Sequence, residues 1–169
     1  MVYNLKAHSA RLIFLSFLII AACSGLEKTS SSADTSPSAG ALEGGDILSI
    51  CIEHKNLAFH IHMTLEIYIL GKKKIIPKNT GISRGCMHVI HTHDKTGELH
   101  IESPYYHRFY LKDFFTIWGK TFNRNCIFRY CVDENHILSF FVNGFENDEY
   151  ENLPLRDGDV IRIVYDKKK

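Results

Sequence analysis

No stretch of this chain is long and apolar enough to cross a membrane as a helix. The run Leu12–Ile20 (LIFLSFLII) holds nine residues, well short of the roughly 20 that such a helix needs. Neither sign of charge is in excess. Twenty basic residues stand against 19 acidic ones, which excludes the basic footprint of a nucleic-acid binder. There is no Gly-rich phosphate loop and no Gly-x-Ser-x-Gly elbow, and no catalytic residue is assigned. What the chain does have is 45% apolar and 12% aromatic residues, enough for one packed domain, together with ten histidines and five cysteines.

The short apolar run has a setting. Lys6 and Arg11 precede it, and Ala21, Ala22 and Cys23 follow it. A charged start, a short apolar core and small residues at a cut describe a secretory signal peptide over residues 1–22. Ile20-Ala21-Ala22-Cys23 resembles the bacterial lipobox. That resemblance implies cleavage before Cys23, lipid on that cysteine and a membrane anchor, stable because each buried CH₂ contributes about 0.8 kcal/mol. Ser24 rather than Asp follows the cysteine. By the same resemblance this favours the outer membrane, periplasmic side.

Residues 23–45 then form the lipidated cysteine and a tether. Leu26–Gly45 (LEKTSSSADTSPSAGALEGG) is Ser-, Ala- and Gly-rich and almost free of bulky apolar residues, the composition of a flexible linker. A folded domain is expected over 46–169. Its four cysteines, Cys51, Cys86, Cys126 and Cys131, are expected in disulfides in an exported chain. Three pairings are open, and Cys86 is also a candidate metal ligand.

Periodicity orders the domain. Leu57–Leu70 (LAFHIHMTLEIYIL) alternates, with Leu57, Phe59, Ile61, Met63, Leu65, Ile67 and Ile69 on one face and His60, His62, Thr64 and Glu66 on the other. Period two over this length predicts a strand with one buried face. Gly71 and three lysines predict a turn, with a return strand starting at Ile75-Ile76. Met87–Ser103 predicts a second hairpin turning at Asp94-Lys95-Thr96-Gly97. His91 then faces His100, His93 faces Glu98 and Ile90 faces Ile101. Ile90, Thr92, Leu99 and Ile101 share one face. Val89, His91, His93, Glu98, His100 and Glu102 share the other. Leu111–Gly119 (LKDFFTIWG) predicts a short helix capped by Gly119. Ile127–Val132, Ile137–Val142 and Val160–Tyr165 predict strands, with a turn at Asn143-Gly144. The fold class is therefore α+β, a mixed or antiparallel sheet with one short helix.

The ending, ILSFFVNG and then LPLRDGDVIRIVY, resembles the closing strands of ubiquitin-like β-grasp domains, where a Leu-x-Asp-Gly-Asp turn precedes the last strand. The resemblance implies an initial hairpin, a helix and two closing strands. A His-rich hairpin before the helix departs from it. Such domains serve many functions, so the likeness says little about activity.

The histidines carry the chemistry. His60 and His62 form one His-x-His, and His91 and His93 a second. His100 stands opposite His91, and His88 has the other parity. Neutral imidazole is the commonest transition-metal ligand and suits zinc and copper. Two histidines at i and i+2 on a strand, with a third across the ladder, make a three-nitrogen face with an open position. Glu98 and Glu102 share that face as ligands or as acceptors that orient the rings. Met63, Met87 and Cys86 would add soft sulfur and favour copper(I).

Three functions follow from these readings. The first is a lipid-anchored envelope module that binds copper or zinc through His60, His62, His91, His93 and His100, with Glu98, Glu102, His88 and Cys86 as further ligands or supports. It would store, transfer or sense the metal. The second is a non-catalytic interaction subunit of an envelope complex, its histidines a solvated face. The third is a zinc-dependent hydrolase or lyase. The aromatic run Tyr105, Tyr106, His107, Phe109 and Tyr110 is either a core edge or a binding platform.

Overall fold

The computed structural model describes residues 46–169. The expected signal peptide over residues 1–22, the expected lipidation site Cys23 and the expected tether to residue 45 lie outside the described residues. Among the described residues no helix is long and apolar enough to cross a membrane.

Alternation makes the first strand. β1 runs Phe59–Ile69, with Met63, Leu65, Ile67 and Ile69 buried and His60, His62, Thr64 and Glu66 on the other face. Leu70 and Gly71 both take positive φ, the geometry of a two-residue hairpin turn. The return strand β2 is Lys72–Lys74, paired with Ile67–Ile69. This corrects the expected start at Ile75-Ile76. The tight turn closes the ladder at once, so the lysines take the strand. Ile75 is left exposed, and Ile76 drops into the core.

The second hairpin forms two of its three expected pairs, and His93 opposite Glu98 is not one of them because the ladder stops at His91 and the chain turns from there. β3 (Ile90–His91) pairs with β4 (Glu98–Ser103), Ile90 opposite Ile101 and His91 opposite His100. Asp94 is a turn residue, its Oδ1 accepting from the Thr96 N–H at 2.8 Å. The Gly97 carbonyl accepts from the Leu65 N–H. Gly97 has φ 95°, and a Cβ there would stand 2.5 Å from the Leu65 carbonyl oxygen, so only glycine allows the loop to close on β1. Val89 is fully buried, as are His91 and Glu102 of the same expected face, and its carbonyl accepts from the Glu102 N–H at 2.8 Å.

Helix α1 spans Leu111–Trp118. The Tyr110 N–H donates to Asp113 Oδ2 at its start, and Gly119 closes it in the left-handed conformation. Leu111, Phe114 and Phe115 share one buried cluster with the apolar face of β1. β5 (His136–Val142), β6 (Phe145–Glu146) and β7 (Val160–Lys167) complete a seven-stranded sheet. Its order is β6-β5-β7-β1-β4-β3, with β2 also on β1. β1 and β7 run parallel at its centre, from Thr64 opposite Val160 to Ile69 opposite Tyr165. The fold is α+β, a mixed sheet with one short helix.

Ile127–Val132 is not a single strand. Cys126-Ile127 pairs back on Tyr130-Cys131, and Phe128 takes positive φ in the reversal. A disulfide joins Cys126 to Cys131 across it. Extended residues five apart would stand about 16 Å from each other, so the crosslink and a straight strand are incompatible. The second disulfide joins Cys51 to Cys86. It ties the segment before β1 to the chain ahead of β3, and the Ile52 N–H donates to the Met87 carbonyl beside it.

The Cys51–Cys86 bond closes a loop of 35 residues. Limiting the unfolded chain in this way contributes roughly 4 kcal/mol. Cys51→Ser/Cys86→Ser should therefore lose about that much in urea unfolding. A change under 1 kcal/mol would show that the segment is held by its other contacts.

Candidate metal centre

The site forms on the face of β1 turned away from the helix. Strand alternation puts His60 and His62 there. The β1–β4 register then sets His62 opposite His100 and His60 opposite Glu102. β3 adds His91 opposite His100 on the next ladder, and His93 follows two residues later. The closing turn holds the backbone at this point. The His62 N–H donates to Asp157 Oδ1 at 2.9 Å, and the Gly158 N–H donates to the His62 carbonyl at 2.8 Å. Further along the same face the polar groups are of another kind. Glu66 is bound by Lys73 and Arg162, which hold its carboxyl below the usual range.

The structure brings all five expected histidines together and adds a sixth, His54. His60 Nε2 and His62 Nε2 are 3.0 Å apart, and His91 Nε2 and His93 Nε2 are 3.2 Å apart. Two nitrogens on one tetrahedral zinc, each at about 2.0–2.1 Å, would be separated by about 3.3 Å. The donor atoms of His60, His62 and His100 lie within 4.8 Å of one another, as do those of His54, His91 and His93. His91, His100 and Glu102 form a third, overlapping group.

Glu102 lies between the two triads and is 1% exposed. Its Oε1 is 3.2 Å from His60 Nε2, and its Oε2 is 2.9 Å from His54 Nδ1. Neither contact has the alignment of a hydrogen bond, and Oε2 is a buried carboxylate oxygen without a directed donor. A group of that kind is costly to bury unless a cation or a proton satisfies it.

Protonation also suits a ligand set. The His91 ring is fully buried, and desolvation pushes its pKa from the usual 6.5 down to about 4. Burial first, and then the neighbouring imidazoles of His93 and His62, lowers that of His100. His91 Nδ1 donates to the His88 carbonyl at 2.9 Å. That contact assigns the proton to Nδ1 and leaves a bare Nε2 toward His93, the second-sphere arrangement that fixes a metal-binding tautomer. Glu98 Oε1 lies 3.2 Å from His100 Nε2, without the alignment of a hydrogen bond.

Several expected supports fall elsewhere. Cys86 is in a disulfide and has no thiolate to offer. Met63 is buried on the core face, since an odd position on β1 points away from the histidines. Met87 packs against the core. The donor set is thus nitrogen and oxygen, without the soft sulfur expected to favour copper(I). The His88 ring donates through Nδ1 to the Leu48 carbonyl, so His88 serves the site by its backbone oxygen. His136 is paired with Asp133 and stacked on Tyr165, away from the centre. In the aromatic run, Phe109 is core while Tyr105 and Tyr106 are exposed. His54 had no sequence signal. It stands alone in a loop, and the Cys51–Cys86 bond, the Ile52–Met87 hydrogen bond and contacts with Glu102, His91 and His93 place it here.

Against known proteins, no family model, no curated protein and no solved structure matches this chain. The functional reading therefore rests on the geometry.

The buried imidazole makes the metal-free protein acid-sensitive. His91 is held neutral down to about pH 4 when folded and titrates near 6.5 when unfolded. The unfolded state thus binds more protons between these values, and stability falls as pH drops through that window. The loss attributable to His91 is at most roughly 3 kcal/mol. In chelator-treated protein, unfolding free energy measured from pH 7 to 4.5 should decline, and His91→Gln should flatten the slope. Equal slopes would show that other groups set the acid response.

Proposed function

We propose that this chain is a lipid-anchored envelope module that binds a transition metal, zinc or copper, through its histidine face, for storage, transfer or sensing. The observation that carries the reading is the gathering of six imidazoles into two triads beside one buried carboxylate. A solvated polar face would leave those rings spread. Here their nitrogens fall into triads within 4.8 Å, and while His54, His60 and His93 are exposed, His91 is fully buried, His100 half-buried and Glu102 buried beside them. An all-nitrogen-and-oxygen set suits zinc and copper(II).

The anchor half of the reading rests on Ile20-Ala21-Ala22-Cys23. Two disulfides support it indirectly, because such bonds persist in exported chains. The β-grasp likeness is supported by the sheet order. The first and last long strands are parallel neighbours, the next-to-last strand flanks the last, and the first turns back into a short hairpin. The His-rich hairpin is added on the β1 edge.

Two measurements test the proposal. Competition titration of the chelator-stripped full chain in detergent should give zinc or copper(II) binding tighter than about micromolar, weakened at least tenfold in His91→Ala/His93→Ala. Affinity unchanged by that pair would remove the metal function. Separately, cells fed a palmitate analogue should label the chain, and Cys23→Ala should abolish the label. Label retained in the variant would end the lipid-anchor assignment.

A further inference from the structure

The donor atoms around Glu102 outnumber what one ion can use. Six imidazoles and one carboxylate offer more ligands than the four of a tetrahedral zinc. By element they form two triads, joined through the overlapping group of His91, His100 and Glu102. His60, His62 and His100 come from the β1–β4 ladder, and His54, His91 and His93 from β3 and the loop pinned by Cys51–Cys86. The two Glu102 oxygens turn to opposite sets, Oε1 to His60 and Oε2 to His54.

Proton accounting points the same way. His60 Nε2 faces both His62 Nε2 at 3.0 Å and Glu102 Oε1 at 3.2 Å. One N–H can serve only one of them. On the other side Glu102 Oε2 has no aligned donor at all, although it is buried. A cation on each side of the carboxylate would satisfy every one of these atoms.

We infer that the histidine face holds two divalent transition-metal ions bridged by the Glu102 carboxylate, one on His60, His62 and His100 and the other on His54, His91 and His93. The inference rests on the metal-binding reading above and deepens it. Each ion receives three nitrogens and one carboxylate oxygen, a complete tetrahedral set for zinc. Closed shells of this type hold metal and leave no position for a substrate. The arrangement thus favours storage or transfer over hydrolysis. His54, exposed like His60 and His93, is the ligand that lies on the loop before β1.

The test is a count of ions combined with a spin measurement. The full chain in detergent, stripped by chelator, is loaded with zinc and, separately, with copper(II) against a competing chelator. Bound metal is then measured per chain. Two ions are expected for each metal. The copper form should show an electron paramagnetic resonance intensity well below that of two isolated ions, because a shared carboxylate couples spins at the roughly 4 Å of two-metal sites. His54→Ala changes only an exposed loop residue. It should retain one copper with full intensity. Glu102→Gln should lose the coupling. One ion per chain in the unaltered protein, or two ions of full uncoupled intensity, would overturn the inference while leaving metal binding intact. No binding of either metal would overturn both. Should Glu102→Gln fail to fold, the His54→Ala count still decides.

Discussion

The register between β1 and β4 is the constraint on which the site depends. His62 stands opposite His100 and His60 opposite Glu102, while Ile61 and Met63 pair with Ile101 and Leu99 on the reverse face. Strand side chains alternate with a period of two, so a slip of one residue would send every imidazole into the core and every core residue into water. The core thus enforces the site. Burial of Met63, Leu65, Leu99 and Ile101 selects the one register that also stacks the histidines.

Two further ties convert that ladder into a three-dimensional centre. The parallel pairing of β1 with β7 is extended by Asp157 and Gly158 to the backbone of His62, so the closing turn of the chain fixes the ligand strand. The Cys51–Cys86 bond fixes the opposite side by holding the loop with His54 close to β3. The consequence is a carboxylate with ring nitrogens on both sides and little water around it. In such surroundings an unpaired charge is expensive, and a bound cation changes it from a cost into a stabilising contact.

Local pattern made most of the elements legible. The alternation of Phe59–Ile69, the helical spacing of Leu111, Phe114, Phe115 and Trp118 with Gly119 after them, and the Asn143-Gly144 turn each have one dominant physical solution. The register of the His-rich hairpin was legible too, because a four-residue or a two-residue loop at Asp94–Gly97 sets Ile90 opposite Ile101 and His91 opposite His100 alike. Errors came where a short element answers to something outside itself. Lys72–Lys74 forms a strand because the Leu70-Gly71 turn delivers it to the ladder. Ile127–Val132 folds back because Cys126 meets Cys131.

The sequence by itself determined which side chains share a face, since that follows from a period of two along a strand and needs no partner. It therefore placed His60 with His62 and set His91 across from His100. Tertiary structure decided whether those two groups meet, because β1 reaches β4 only through long-range pairing. It also decided that Cys86 is spent on Cys51, that Met63 faces the core, and that His54 joins from a loop. Distance along the chain carries no information about such contacts. They are settled by which edges of the sheet remain free once the apolar faces are buried.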